Sequence, residues 1–167
     1  LLKENNYQDT SVKVFDHHSV VLLFPLYMDS LPVTLLKFMA VLEVSSRRYD
    51  KCPMLYSVIN CGLKESSHND LAALMVQFFA STNRFPYGGT LSIGSGENIM
   101  ATYFKGKVKK KIRQFAKAVG ANQEENLEVQ YPLGIGLFLK SSRKYWTQQG
   151  ASNGVSAQEM ESMKIEG

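Results

Sequence analysis

The chain has 167 residues, 44% of them hydrophobic and 20% charged, with a net charge of +4 and two cysteines. A single globular core of that size buries roughly 70% of the surface its unfolded chain exposes, so neither a disulfide nor a metal is needed to hold it. The longest apolar runs stay under ten residues and break at Pro, Lys or Glu, well short of the ~20 that a membrane helix requires.

Cys52 and Cys61 flank one predicted strand, and nine residues at about 3.3 Å each set them about 30 Å apart. A disulfide needs Cα atoms within about 7 Å. Reduced thiols and the absence of a secretory leader at Leu1 point to a soluble, cytoplasmic protein. The opening "LLKENNYQD" reads as the middle of a helix and lacks an initiator Met, so the true amino terminus is expected upstream.

In chain order, "SVKVFD" (11–16) alternates with period two and predicts a strand. "SVVLLF" (19–24) is a continuous apolar run, as a strand buried on both faces must be. Residues 32–43 predict a helix with Leu31, Leu35, Met39 and Leu42 on one face and Pro32 in the first turn. "MLYSVINC" (54–61) predicts the next strand. Residues 69–82 carry Leu71, Leu74, Met75, Phe78 and Phe79 at helical spacing, introduced by Ser67 as a cap. "TLSIG" (90–94), after two glycines, predicts a further short strand.

In "KGKVKKKIRQFAK" (105–117), Val108, Ile112, Phe115 and Val119 form an apolar seam and leave the lysines on a solvated face. Nucleic-acid or membrane binding would need aromatic platforms or a wider basic surface, which the sequence lacks. After residue 120 the pattern weakens, with Pro132, Gly134 and Gly136 interrupting it, and the final "SAQEMESMKIEG" is polar. Residues 121–167 therefore read as a carboxyl-terminal extension.

From residue 19 on, strands and helices alternate, which is the signature of a parallel sheet with helices on both faces. The junction at 16–18 does not fit. Two residues, His17 and His18, permit only an antiparallel hairpin, and the sequence there lacks hairpin chemistry, so residues are expected to be missing and the domain discontinuous at that point.

Ligands of open parallel sheets bind beyond the carboxyl ends of the strands, which directs attention to "PLYMDSLP", "NCGLKESSHND" and "GSGEN". The last lacks the third glycine of a dinucleotide fingerprint and is followed by no Gly-Lys-Ser/Thr. The adjacent His17 and His18 diverge and have no third ligand, so no metal site is expected. Ser57, Ser92 and Ser95 sit in no nucleophile elbow, and Cys61 reads as a buried, inert thiol.

In order and spacing, "FPLYMDSLPVTLLKFM", "VINCGLKESSHNDLAALMVQFF" and "YGGTLSIGSGE" resemble the flavodoxin-like NAD(P)H-dependent FMN reductases, over roughly residues 11–115. The resemblance implies an α/β flavodoxin-like three-layer sandwich with a parallel sheet of order 2-1-3-4-5. It implies FMN as cofactor, NAD(P)H as co-substrate, a small-molecule electron acceptor such as a quinone or free flavin, and a homodimer. Carried over by position, Pro25, Leu26, Tyr27, Met28, Asp29 and Ser30 form one flavin-ring loop and Asn60, Cys61 and Gly62 the other, with Glu65 and His68 further along.

No catalytic base is implied, because the flavin itself accepts and delivers the hydride. The family's first strand and its phosphate-binding loop have no counterpart, so the domain is expected to be incomplete at its amino terminus. Alternatives from the same fold are an electron-transfer module, an iron-sulfur flavoprotein and a cofactor-free scaffold. A pI near 9.0 argues against the first, since flavodoxins proper are strongly acidic.

Overall fold

A computed structural model describes residues 6–162. Four parallel strands form one sheet in the order β1 (Ser19–Pro25), β2 (Met54–Asn60), β3 (Tyr87–Ile93) and β4 (Leu127–Val129). Helix α1 (Tyr7–Val14) precedes the sheet, α2 (Val33–Ser46) and α3 (Asp70–Thr82) link the first three strands, and α4 (Gly96–Met100) and α5 (Lys105–Gly120) lead to β4. Helices α6 (Ile135–Ser152) and α7 (Ala157–Ser162) follow. The alternation predicted from residue 19 is thus the observed α/β architecture with an all-parallel sheet. None of the described helices is long and apolar enough to cross a membrane.

Residues 11–16 are not a strand. They complete α1 and the turn after it, where Tyr7, Ser11 and Val14 share one buried face. The Tyr7 ring meets Phe38 edge-on at 6.0 Å, and Ser11 Oγ lies 2.9 Å from Ser45 Oγ. Packing on α2 overrides a short β-like alternation. A helix before β1 also removes the difficulty at 16–18, because four residues, Phe15 to His18, make an ordinary helix-to-strand link.

Alternate residues of β2 supply two separate hydrophobic clusters. Leu55 and Ile59 pack with Leu22, Phe24, Leu35, Leu42 and Val76. Tyr56 packs with Leu91, Ile93, Val108, Phe115 and Phe138. Strand β1 departs from the expectation of burial on both faces: Leu22 and Phe24 are buried, but Val21 is 41% and Leu23 74% exposed. Its outer edge pairs with no described strand.

Helix α3 also faces differently from the prediction. Its buried residues are Ala72, Val76 and Ala80, a stripe of small side chains that lets the helix approach the sheet closely, while Leu71, Leu74 and Phe78 are exposed. Ser67 makes no capping bond; the helix is entered through a 3-10 turn at Ser66–Asn69. In α5, Val108 and Phe115 are buried as predicted, and Ile112 is exposed.

Glycines that read as breakers turn out to be parts of regular elements. Gly88 and Gly89 belong to β3, where a Cβ on Gly88 would stand 2.3 Å from the Tyr56 ring, and one on Gly89 2.2 Å from the Glu125 carbonyl oxygen. Gly89 also has φ +111°, which side chains rarely adopt. Gly134 caps α6 and Gly136 lies in its first turn, so the interruption after Pro132 marks a helix start. Through β4 and Phe138, part of the predicted extension joins the sheet and its core.

Replacing Gly89 with Ala is expected to lower the unfolding free energy by more than about 1 kcal/mol, read from urea denaturation. Gly106→Ala is expected to raise it by a few tenths to about 1 kcal/mol, since its Cβ would meet open space inside α5.

Candidate functional site

Parallel pairing sets Pro25 of β1 beside Asn60 of β2, and Asn60 beside Ile93 of β3. The three loops that follow therefore leave the sheet at one edge. The Leu26 amide donates to the Asn60 carbonyl at 2.8 Å, which carries the β1–β2 ladder one residue into the first loop.

Beyond it, Tyr27 and Ser30 exchange backbone hydrogen bonds of 3.2 and 3.0 Å around Met28 and Asp29. Both central residues are left-handed, with φ 47° and 58°. That is the combination of a type I′ turn, which ordinarily takes Asn and Gly. Left-handed conformations at non-glycine residues cost about 1–3 kcal/mol each and collect at ligand clamps and active sites. The turn holds Tyr27 62% and Met28 99% exposed.

The second and third loops are locked together. Cys61 donates its amide to the Ile93 carbonyl at 2.9 Å and accepts from Gly96 at 3.1 Å, while the Ser95 amide donates to the Leu63 carbonyl at 2.6 Å. A Cβ on Gly94 would stand 2.7 Å from the Lys64 carbonyl oxygen, and one on Gly96 would collide with the Asn60 side chain. Ser95 is left-handed, fully buried, and donates its hydroxyl to the Lys64 carbonyl. The sequence reading passed over this third loop as a failed nucleotide motif; its two glycines around a serine were the available signal.

The predicted residues fall into distinct roles. Tyr27 and Met28 present apolar side chains to solvent, while Pro25, Leu26, Asp29 and Ser30 build the turn beneath them. Asn60 lines an open cleft of 580 Å³ with Ile93, Gly96, Met100, Ile112 and Tyr145. Cys61 is buried, and its thiol donates to the backbone carbonyls of Leu63 and Glu65, both at 3.7 Å. Burial pushes the thiol pKa up, and hydrogen bonding to the backbone of Leu63 and Ser95 opposes this only in part. At Gly62 an added Cβ would meet no protein atom within 4 Å, so its predicted close approach is not to another part of the chain.

Glu65 is held below the usual carboxylate range by the Lys64 ammonium, hydrogen-bonded at 3.0 Å, with His68 Nε2 3.9 Å away. Lys64 and Glu65 thus neutralise each other beside the second loop. The amides of Met28, Asp29 and Gly62 donate to no protein acceptor among the described residues. Two loops therefore offer free backbone donors next to exposed apolar side chains.

A larger hollow of 650 Å³ lies to one side, over β3 and β4, and holds Asp70, Glu124 and Glu128 with Tyr87, Thr90 and Ser92. None of the predicted site residues lines it. No group of three metal-ligating side chains is placed to hold an ion among the described residues. Comparison with protein-family models, with curated proteins and with solved structures gives no match.

Two outcomes test this geometry. Replacing Met28-Asp29 with Asn-Gly is expected to raise the unfolding free energy by about 1 kcal/mol by relieving the left-handed strain; a lower value in urea denaturation would show that the turn has another form. Cys61 is expected to react with a disulfide reagent at pH 8 much more slowly in the folded chain than in urea, with the modified residue identified by peptide mass.

Proposed function

We propose that this chain is the larger part of an FMN-dependent oxidoreductase of flavodoxin-like fold, which takes a hydride from NAD(P)H and passes electrons to a small acceptor such as a quinone or free flavin. One observation carries the reading: the strained turn at Met28 and Asp29 sits where the strands of an all-parallel sheet end, beside a second loop in which the Gly62 amide has no protein acceptor among the described residues. A flavin ring has a broad apolar face and a polar edge of nitrogens and carbonyls. Tyr27 and Met28 suit the face, and the amides of Met28, Asp29 and Gly62 suit the edge.

When bound, FMN supplies the redox chemistry itself. The chain's part is to bind and orient. Cys61, protonated and buried, takes no part as a nucleophile and serves to tie the second loop to the third.

The finer fold belongs to the same proposal. In the order 2-1-3-4-5, β1, β2 and β3 of this chain are the third, fourth and fifth strands, with β4 added outside the fifth, and the family's first strand would lie along the outer edge of β1. Three features agree with that placement: β1 has no partner on that edge, Val21 and Leu23 are bare on a parallel sheet whose faces are normally covered, and α1 rests chiefly on α2. Each step from β1 through α2 to β2 and through α3 to β3 moves the sheet one strand in the same direction. A helix in the position of α1 continues that progression backwards, toward a strand beyond β1. The family's phosphate loop would follow that first strand.

The test is an absorbance scan through the near-ultraviolet and blue of the protein purified with added FMN and washed, repeated after NADPH is added under nitrogen. Flavin bands that bleach with NADPH are the expected result. Bands that persist with NADPH and bleach only with dithionite would favour an electron-transfer module, and a colourless protein that cannot be reconstituted would remove the flavoprotein reading.

A further inference from the structure

In β3, Leu91 and Ile93 enter the cluster shared with Tyr56 and Phe115, so Thr90 and Ser92 take the other face of the strand. Helix α3 borders that face through Ala73, Leu74 and Gln77, and between helix and strands lies the hollow of 650 Å³, with Thr90 and Ser92 in its lining.

The buried polar groups of this floor are paired, with one exception. The Thr90 hydroxyl is hydrogen-bonded with Ser57 Oγ and, at 2.6 Å, with Tyr87 OH, and the Thr90 amide donates to Asn126 Oδ1 at 2.9 Å. Ser92 lines the same hollow and is only 9% exposed, yet its hydroxyl has no hydrogen-bond partner among the described residues. A hydroxyl so deeply buried is ordinarily bonded.

The rim is acidic. Asp70, Glu124 and Glu128 stand around it, and no Lys, Arg or His lines it. Neither Asp70 nor Glu124 forms an ion pair with a described residue. Glu128 is level with Ser92 in the β3–β4 ladder and accepts a hydrogen bond from Ser66 at 3.0 Å. Asp70 lies toward the same end, because the neighbouring Asn69 amide reaches the Ile93 carbonyl at 3.3 Å. Glu124 stands toward the other end, with its Cα at most about 13 Å from that of Glu128 at ~3.3 Å per extended residue. Among the described residues no three acidic, His or Cys side chains are placed to hold one metal ion. These carboxylates are therefore met by separate positive charges, and Ala73 and Leu74 supply an apolar wall beside them.

We infer that this hollow binds a small polyamine, a methylene chain whose ammonium groups are taken by Asp70, Glu128 and the Ser92 hydroxyl at one end and by Glu124 at the other. An ammonium carries three N–H donors and no acceptor, so it satisfies carboxylates and an unpaired hydroxyl together. With a net charge of +4, the protein as a whole repels a polycation, and retention of one requires a local site. None of the flavin-loop residues lines the hollow, so binding is read on the chain without FMN, and a colourless protein would leave the inference standing.

The experiment is isothermal titration calorimetry at low ionic strength with spermidine, and with butylamine as the single-charge comparison. The proteins are wild type, Ser92→Ala, a combined Asp70→Asn, Glu124→Gln and Glu128→Gln variant, and Asp50→Asn, which alters an exposed carboxylate outside the hollow. Far-ultraviolet circular dichroism checks folding. Spermidine is expected to bind one to one, and butylamine at least about tenfold more weakly. Ser92→Ala is expected to weaken spermidine about threefold or more through loss of a hydrogen bond to a charged group. The combined variant is expected to weaken it at least about tenfold, and Asp50→Asn to leave it unchanged. Absence of spermidine binding would overturn the inference. So would binding that the combined variant keeps, binding that Ser92→Ala leaves intact, or butylamine binding as tightly as spermidine.

Discussion

Strand β2 is the element on which the rest of the structure depends. It pairs in parallel with β1 on one side and β3 on the other, and its register sets Pro25, Asn60 and Ile93 level with one another. Three loops are thereby delivered to one edge of the sheet without any direct interaction between β1 and β3. The side chains of β2 alternate between the two hydrophobic clusters, so the strand that fixes the site also links the cores. Asn69, fully buried, reinforces this edge by donating its amide to the carbonyls of both Ile59 and Ile93 at 3.3 Å.

That edge is rigid on one side and strained on the other. Gly94 and Gly96 bring the third loop so near the second that no side chain fits between them, and Ser95 is sealed into the contact. The first loop is attached more lightly, through the Leu26 amide and the paired backbones of Tyr27 and Ser30. Two adjacent left-handed residues hold a turn there that glycine would adopt more cheaply. With Met28 wholly exposed, no buried contact of its side chain repays the strain in the monomer. Contact with the proposed flat ligand would repay that strain.

Much of this was legible in the sequence because hydrophobic period reports burial directly. Leu31, Leu35, Met39 and Leu42 were placed correctly on the inner side of α2, and the three apolar strands were found, because each makes its pattern against a core. Residues 11–16 failed for the converse reason. Val12 and Val14 alternate with Ser11 and Lys13 in a way that suits a strand, and only the contact with α2, distant in sequence, settles the helix. Gly88 and Gly89 were left outside the predicted strand because nothing local reveals the Tyr56 ring and the Glu125 backbone that exclude side chains there. All three strand-end loops were readable, but no role was assigned to the residues of the third, because its glycines serve contacts between loops and match no phosphate-binding spacing.

The misreading of α3 is the most informative of these. The sequence offers two apolar stripes on that helix, one of large side chains and one of small, and hydrophobicity alone assigns the larger to the core. Close packing against the sheet favours the smaller, so Ala72, Val76 and Ala80 are buried and the leucines and Phe78 are left outside. The bare face of β1 is different in kind. There an unpaired strand edge, with backbone donors and acceptors to satisfy, runs beside exposed Val21 and Leu23, and only another strand satisfies both the hydrogen bonds and the apolar surface. On α2 and α3 the backbone is already bonded within each helix and only side chains remain to be covered, which another helical surface does without supplying a single main-chain bond. The two bare surfaces therefore differ in kind: along β1 main-chain donors and acceptors stand open beside apolar side chains, whereas on α2 and α3 only side chains do.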